Sequence, residues 1–406
     1  MARTFPFQAY RYTPAAGPLH DLVTLPDDNS SPNFSKCCVS KNQYSILRLD
    51  SARGGLNGGP ADASGNPSAL LNQWLTSGVV GLDTHPSFYP YFQEFRDPET
   101  GEKLLRKGVT GLGSVDDYSR GTVYGHEQTI ADPTGGRLEL LRQTRAHFGP
   151  LLMLYSDPKH EVDRFLSGIT SKEPLVSVRD DDGVLHTLWQ VSRQNHILHL
   201  QYLLRDKSLV IADGHHRYNA ALAFRKTNTH LRGADKIMMT FVNMYSPALR
   251  ILATHRLVTG CTYVQKIVAG CKRISVETLL GLLHSRQEEN IRIGILVKGR
   301  EDGYLFERQR DGCKPDVEVL HAELLKKCCL GGCGVAEDDD INISYVRGLD
   351  AAIKSVRSEV SQLAFLLQPP TIEQVARTAL KRELLPHKST DFYPKLLTGL
   401  TIFRLG

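Results

Sequence analysis

The chain has 406 residues, of which 41% are hydrophobic and 23% charged; this is the composition of a folded protein with two to three cores, not of a disordered or fibrous chain. Its 49 basic and 44 acidic residues leave a formal net charge of +5, too mild to signal nucleic acid and suited to small anionic ligands. No run of about 18 apolar residues occurs, so no membrane partner is expected, and the opening "MARTFPFQAYRYTPAAG" lacks an apolar signal core, which makes the cytoplasm the expected location.

Residues 1–50 read as short strands and loops, with "YSILRLD" (44–50) the clearest strand. The following "SARGGLNGGPADASGNPSA" (51–69) offers little apolar surface to bury and reads as a Gly-rich insertion; its glycines lack phosphate-loop spacing. "ALLNQWLTSGVV" predicts a short helix, and "HPSFYPYFQEFRD" a strand whose Phe88, Tyr89, Tyr91, Phe92 and Phe95 serve packing. "RLELLRQTRAHFGP" predicts a helix ending near Gly149 and Pro150, followed by the strand "LLMLYS". "LHTLWQVSRQNHILHLQYLLRD" reads as a helix leading to the strand "SLVIAD"; the helix "RYNAALAFRKTN" and the strand "KIMMTFVNMYS" come next. That alternation argues an α/β or α+β core for the first 245 residues.

Past "ATHRL" the texture changes. "IRIGILVKGREDGYLFERQ" predicts a β-hairpin turning at Asp302 and Gly303. "LHAELLKKCCL", "SYVRGLDAAIKSVRSEV" and "TIEQVARTALKRELL" read as helices, and "EDDD" (337–340) as a solvated loop. The expected division is a first domain over 1–250 and a C-terminal α/β domain over 251–406. Cysteines 37, 38, 261, 271, 313, 328, 329 and 333 read as thiols, because "CCLGGCG" does not have zinc-ligand spacing and no histidine pair follows.

The most chemically loaded stretch is "VIADGHHRYNAAL" (210–222), where a strand runs into a helix through Asp213, Gly214, His215, His216 and Arg217. A helix starting just after Gly214 presents unpaired N–H groups and a positive dipole end, which suits an anion. Gly214 permits an unusual φ and a close backbone approach. His215, His216 and Arg217 add donors, and an arginine grips phosphate oxygens bidentately. Asp213 suits a general base, a Mg²⁺ ligand or a helix cap.

Three other stretches share this vocabulary. "RGTVYGHEQT" sets His126 beside Glu127 with Arg120 nearby, but lacks the second histidine a zincin helix needs. Glu127 either deprotonates a hydroxyl, binds Mg²⁺, or pairs with Arg120 or Arg137. "LLPHKSTDFYPK" combines Lys388, Ser389, Thr390 and Lys395 without a glycine cradle, so side chains would have to contact an anion there. "ATHRL" adds His255 and Arg256. No GxSxG nucleophile motif appears.

"IADGHHRYNAAL" resembles the signature of the ParB/sulfiredoxin-like superfamily, and its Gly-His-His-Arg form looks like the free L-serine kinase branch. With "FPFQAYRY", "RGTVYGHEQT", "ATHRL" and "PHKSTDFYPKLLTGL", the chain resembles a long-uncharacterised bacterial family carrying that domain. The resemblance implies a ParB/sulfiredoxin-like mixed domain over 1–250, interrupted by the insertion 51–69, and a second domain over 251–406 that contributes "HKST". It implies a small-molecule kinase that phosphorylates free L-serine to O-phosphoserine, with pyrophosphate or ATP/ADP as donor and Mg²⁺ as cofactor. Gly214, His215 and Arg217, with His126, Arg120, His255, Arg256, Lys388, Ser389 and Thr390, would hold phosphate or substrate; Glu127, Asp213 and His216 are the catalytic candidates, with Asp213 or Glu127 open as a Mg²⁺ ligand. His215 stands where sulfiredoxins carry their reactive cysteine, so sulfinic-acid reduction is not expected. The usual Pro-Pro-Tyr-Asp region reads "LPDDNSSP" here, where Asp27 or Asp28 could serve. The rival readings are a non-catalytic ParB-like nucleotide-binding regulator and a phosphotransferase for another small hydroxy compound.

Overall fold

A computed structural model of the chain describes residues 3–26, 42–51, 66–129, 131–261, 264–285, 287–312, 314–325 and 342–406. Asp27 and Asp28, most of the Gly-rich insertion, "EDDD", and cysteines 37, 38, 313, 328, 329 and 333 lie outside these residues. Cys261 and Cys271 carry thiols, not a disulfide. The chain forms two compact units: one comprises Met1–Gly125, Thr129–Arg250 and Pro394–Gly406, the other His126–Gln128 and Ile251–Tyr393.

The first unit is built on a nine-stranded mixed sheet. Its strands are β1 (Thr4–Phe5), β2 (Tyr89–Arg96), β3 (Lys103–Ser114), β4 (Val123–Tyr124), β5 (Leu151–Tyr155), β6 (Val176–Arg179), β7 (Leu185–Leu188), β8 (Leu209–Asp213) and β9 (Lys236–Asn243). They lie in the order β4-β8-β5-β9-β3-β2-β7-β6, with β1 pairing β3 as well. Only β4 with β8 and β5 with β9 run parallel. The central β5, "LLMLY", is buried at every position, as a strand covered on both faces must be. Helices α1 (Ala131–Thr144), α2 (Glu161–Ile169), α3 (Gln194–Leu204) and α4 (His215–Thr227) cover the sheet. Met153, Ile211 and Phe241 from the strands meet Leu166, Leu200 and Tyr218 from the helices in one core.

The second unit carries a six-stranded antiparallel sheet. Strands β10 (Thr254–Thr259), β11 (Lys272–Ile274), β12 (Asn290–Val297), β13 (Gly303–Gln309), β14 (Asn342–Arg347) and β15 (Leu363–Leu367) lie in the order β11-β13-β12-β15-β10-β14. Period-two alternation sorts β15 onto two faces. Leu363, Phe365 and Leu367 enter one core with Ile291, Ile293 and Ile295, whereas Ala364 and Leu366 enter another. That second core is closed by α5 (Val276–His284) and α6 (Leu349–Arg357) through Leu279, Leu283, Ala352 and Val356. Helix α7 (Ile372–Leu380) begins in a capping box between Thr371 and Gln374.

Several local expectations are corrected. "YSILRLD" is not a strand: Leu47–Ser51 is helical, and Ile46 and Leu49, three residues apart, reach one cluster with Trp74. Leu185–Leu188 is a strand between β2 and β6, and the helix expected across it starts only at Gln194. Asn342–Arg347 is likewise a strand on β10, and Gly348 at φ 85° precedes the helix. Helix α1 stops at Thr144, before Gly149, because Arg145 turns into the left-handed region at φ 49°. The segment 320–325 is a π-helix instead of an α-helix. The β-hairpin of residues 290–309 stands, but its connection runs over 298–302 and Gly303 is already in the second strand.

Candidate active site

The stretch 210–222 lies wholly in the first unit. Along β8, Val210 pairs with Leu154 and Ile211 with Met153, but Asp213 pairs with Leu152, so Ala212 is the extra residue of a bulge. Such a bulge re-aims the residue that follows it, here Asp213. Gly214 then adopts φ 101° and ψ 26°, and α4 starts at His215. A Cβ on Gly214 would meet Leu151 Cδ2 at 2.5 Å and Arg217 Nη2 at 3.0 Å. The turn therefore requires glycine for its backbone angle and for its space.

Asp213 is held from two sides. Arg217 Nη2 donates to its Oδ2 at 2.8 Å, and Lys395 Nζ donates to its Oδ1 at 2.7 Å. The three side chains are mostly shielded, at 19%, 16% and 14% exposure for Asp213, Arg217 and Lys395. Arg217 also donates through Nη1 to the Pro150 carbonyl at 2.7 Å, so its guanidinium fastens the start of α4 to the approach of β5. Below Lys395 lies a third cation. Arg106, 1% exposed, donates to Gln93 Oε1 at 3.0 Å and to the Pro394 carbonyl. Burial lowers its pKa to about 10, opposed by the fields of Tyr91 and Asp213, so it stays protonated at neutral pH. Two cations thus hold one carboxylate at a helix N-terminus, and a third, Arg106, anchors the segment that carries one of them.

The histidines of the motif play different parts. His215 is buried, and its Cδ2 would lie 3.4 Å from a Cβ on Gly125. His216 is half-buried, with Nδ1 3.0 Å from Thr134 Oγ1 on α1. A cavity of about 60 Å³ beside Arg217 is lined by His147, Gly149 and Thr398 and by apolar groups such as Phe148 and Leu140. His147 is stacked on Phe403, with ring centroids 6.0 Å apart. Burial, reinforced by Arg217, lowers its pKa to about 4 and keeps it neutral near pH 7. Arg120 is also in this unit but is paired elsewhere, with Asp116 at 3.0 Å. Burial raises the Asp116 carboxyl, but Ser114, Arg120 and Arg225 outweigh it and hold the group below the usual carboxylate range.

The remaining sequence candidates form a second cluster, within the second unit. Glu127 Oε1 accepts from the Lys388 backbone N–H at 2.9 Å, and its Oε2 accepts from Thr390 Oγ1 at 3.4 Å. His126 Nε2 lies 2.8 Å from the same hydroxyl, and Ser389 Oγ donates to the Pro386 carbonyl. Lys388 itself takes φ 56°. Arg256, 1% exposed, donates through Nη2 to the carbonyls of His387 at 3.2 Å and Lys388 at 3.0 Å, and lies 5.3 Å from the ring centre of Tyr345. Burial lowers its pKa to about 10. His255 Nδ1 accepts from the Leu367 N–H at 3.2 Å, and burial with Arg256 lowers its pKa to about 4. The structure brings Glu127, His126, Arg256, Lys388, Ser389 and Thr390 together around the loop 385–391, where Glu127, Arg256 and Ser389 bond its backbone and His126 meets the Thr390 hydroxyl.

The carboxylates do not suit the expected Mg²⁺. Each Asp213 oxygen already receives a cationic N–H donor, and the Glu127 oxygens receive an amide and a hydroxyl. Magnesium takes oxygen ligands in an octahedron and is repelled by adjacent ammonium or guanidinium groups. Among the described residues, no group of three His, Cys, Asp or Glu side chains is placed to hold a metal ion. Nor is any described helix long and apolar enough to cross a membrane. Arg106 and Gln93 have no role in the sequence reading. Lys395 is read from sequence with Lys388, Ser389 and Thr390 as a candidate anion contact, but nothing local ties it to a strand end 182 residues earlier.

No curated protein matches the chain. Among solved structures, it is similar to a conserved hypothetical protein from Pyrococcus furiosus, with 14% identity and a TM-score of 0.38 over 70% of this chain and 92% of that one. It is similar to a free serine kinase in complex with AMP, with 13% identity and a TM-score of 0.42 over 72% and 90% of the two chains. It is also similar to SbnI with C-terminal truncation from Staphylococcus aureus, with 13% identity and a TM-score of 0.33 over 73% and 82%. Residues 4–326 match a family described as protein of unknown function DUF1015, and on that match the chain belongs to this family.

Proposed function

We propose that the chain is a small-molecule phosphotransferase that holds its donor phosphates at the Gly214 turn. The observation that carries this reading is the charge imbalance there: Arg217 and Lys395 both donate to the carboxylate of Asp213 at the start of α4, and the buried cation Arg106 anchors the residue that precedes Lys395. A site with excess positive charge, shielded from water and aimed by a helix dipole, is stabilised by an incoming polyanion. The resemblance of the Gly-His-His-Arg box to free L-serine kinases names the acceptor as free L-serine, and pyrophosphate or ATP/ADP as donor.

In this reading one bridging P–O bond of the donor breaks, and a P–O bond to serine Oγ forms. Orthophosphate leaves when pyrophosphate is the donor; ADP or AMP leaves when ATP or ADP is. The hydroxyl proton passes to His216, whose Nδ1 is fixed by Thr134. Asp213, already accepting two charge-assisted hydrogen bonds, is too weak a base for that step and serves to set Arg217 and Lys395. Because Mg²⁺ finds no suitable ligands among these side chains, no step is assigned to it.

The test is to incubate the protein with L-serine and pyrophosphate, ATP, ADP or CTP in turn, then measure O-phosphoserine by mass spectrometry. Product is expected with pyrophosphate or an adenine nucleotide, and His216→Gln is expected to slow its formation by about 10²–10⁴-fold. Binding of a nucleotide without product from any donor would favour a non-catalytic regulator and overturn the assignment.

A further inference from the structure

We infer that Lys395 contacts the donor phosphate in this site, and that buried Arg106 is a positioning residue that sets it there. The inference rests on the phosphotransferase reading for its ligand class, but its geometry is independent of the acceptor. Lys395 belongs to the returning segment Pro394–Gly406, which rejoins the first unit after the whole of Ile251–Tyr393 has been laid down elsewhere. It also lies beyond residues 4–326, the span that matches the family.

The segment is fixed residue by residue. Arg106 donates to the Pro394 carbonyl, and Gln93 Nε2 donates to the Lys395 carbonyl at 2.8 Å while its Oε1 accepts from Arg106. Tyr91 Oη accepts from the Leu397 N–H at 3.1 Å. The same hydroxyl lies 2.7 Å from His186 Nδ1, and His186 Nε2 lies 2.9 Å from Asp180 Oδ2. Backbone bonds then carry the segment onward: Thr398 N–H to Thr24 and Gly399 N–H to Phe148, both at 2.8 Å.

Burying a guanidinium in a strand of the core is costly, and the cost is recovered only when its donors meet well-placed acceptors. Here those acceptors are the glutamine that grips Lys395 and the carbonyl just before it. A hydrophobic residue at position 106 would satisfy the core but leave Pro394 unanchored. The arrangement therefore spends a buried charge on the placement of one lysine.

The two cations on Asp213 differ in what they can do. Arg217 is held at both ends, by Asp213 and by the Pro150 carbonyl, and its planar fork is committed to the turn. Lys395 reaches Asp213 with an ammonium group, whose donors rotate and which acts as a point charge. A phosphate oxygen at the helix start can share the Lys395 ammonium with Asp213 without disturbing the backbone. Asp213 thus holds Lys395 in place, and the ligand binds against it.

The experiment measures binding of inorganic pyrophosphate to the full chain by titration calorimetry, for the parent protein, Lys395→Met, Lys395→Arg, Arg106→Met and the Lys395→Met/Arg106→Met pair. Near-ultraviolet circular dichroism checks that each variant is folded. Losing a charge-assisted hydrogen bond weakens binding by about tenfold to a hundredfold, so that loss is expected for K395M, with partial recovery in K395R. R106M is expected to weaken binding while adding little once Lys395 is gone. A merely structural role for Arg106 would instead give losses that add. Folded K395M that binds as the parent does would overturn the inference and leave the phosphotransferase reading standing. Binding that depends on Lys395, in a chain that makes no O-phosphoserine from any donor, would support the inference and overturn that reading. A parent chain that binds no pyrophosphate would overturn the inference whatever the serine assay gives.

Discussion

Gly214 shows at the scale of one residue how a functional turn is built. Its φ of 101° lies where an L side chain is strained, and the space a Cβ would need is occupied by Leu151 and Arg217. Gly214→Ala is therefore expected to destabilise the protein by about 2 kcal/mol or more, strain and clash acting together. Gly168, inside α2, is the matched control: a Cβ there meets nothing within 4 Å, and its φ is helical. Gly168→Ala is expected to stabilise by about 0.5–1 kcal/mol. Urea denaturation of the two variants checks both signs, and equal effects would remove the special status of the turn. The glycine and its polar neighbours were legible in the sequence because strand, turn and helix are contiguous there. The second partner of Asp213 was not. Lys395 is joined to it only by the fold, across 182 residues. Glu127 illustrates the converse: as a sequence it is a loaded carboxylate, and only coordinates show it gripping the Lys388 amide.

At the scale of elements, two of the misread segments share a cause. In Leu185–Leu188 and Asn342–Arg347 the residues carry mixed patterns, and cross-strand neighbours decide between helix and strand. Both strands are short and are followed within a few residues by helices, so the helical periodicity that follows spreads backward over them. β5 and β9, with long apolar runs, were readable because burial on both faces leaves a signature within the strand itself. The returning segment of residues 394–397 has no such signature. It is held by side chains of β2 and β3, among them Tyr91 Oη, which accepts from the Leu397 N–H and bonds His186. Tyr91→Phe removes one hydroxyl and leaves a buried N–H and an imidazole nitrogen without it. A loss of about 1–3 kcal/mol is expected, measurable as a lowered urea midpoint with unchanged slope. A neutral substitution would mean that the segment is held without this bond.

For the whole molecule, acid sensitivity follows from histidines buried in both units. His147 in the first unit, and His255 and His321 in the second, have pKa values lowered to about 4, with burial the main cause in each and an arginine adding to it. The ordinary histidine pKa is about 6.5, so between these values the unfolded chain binds protons that the folded chain refuses. Their contribution to stability is complete above about pH 6.5 and is lost as pH falls towards 4. For His255, 1% exposed, lowering pH from 7.5 to 5 should remove on the order of 2 kcal/mol. The more exposed His147 and His321 contribute less each. Asp116, whose carboxyl is held low, acts in the same direction at still lower pH. His321 offers the clean control, because its Nε2 is buried with no hydrogen-bond partner among the described residues. Replacing it by leucine costs no such bond and deletes one titrating group. Urea midpoints at pH 7.5, 6 and 5 should fall steadily for the parent protein and less steeply for His321→Leu. A parent midpoint that stays constant across that range would show that these imidazoles titrate in the folded chain as they do in the unfolded one, and that their burial carries no electrostatic penalty.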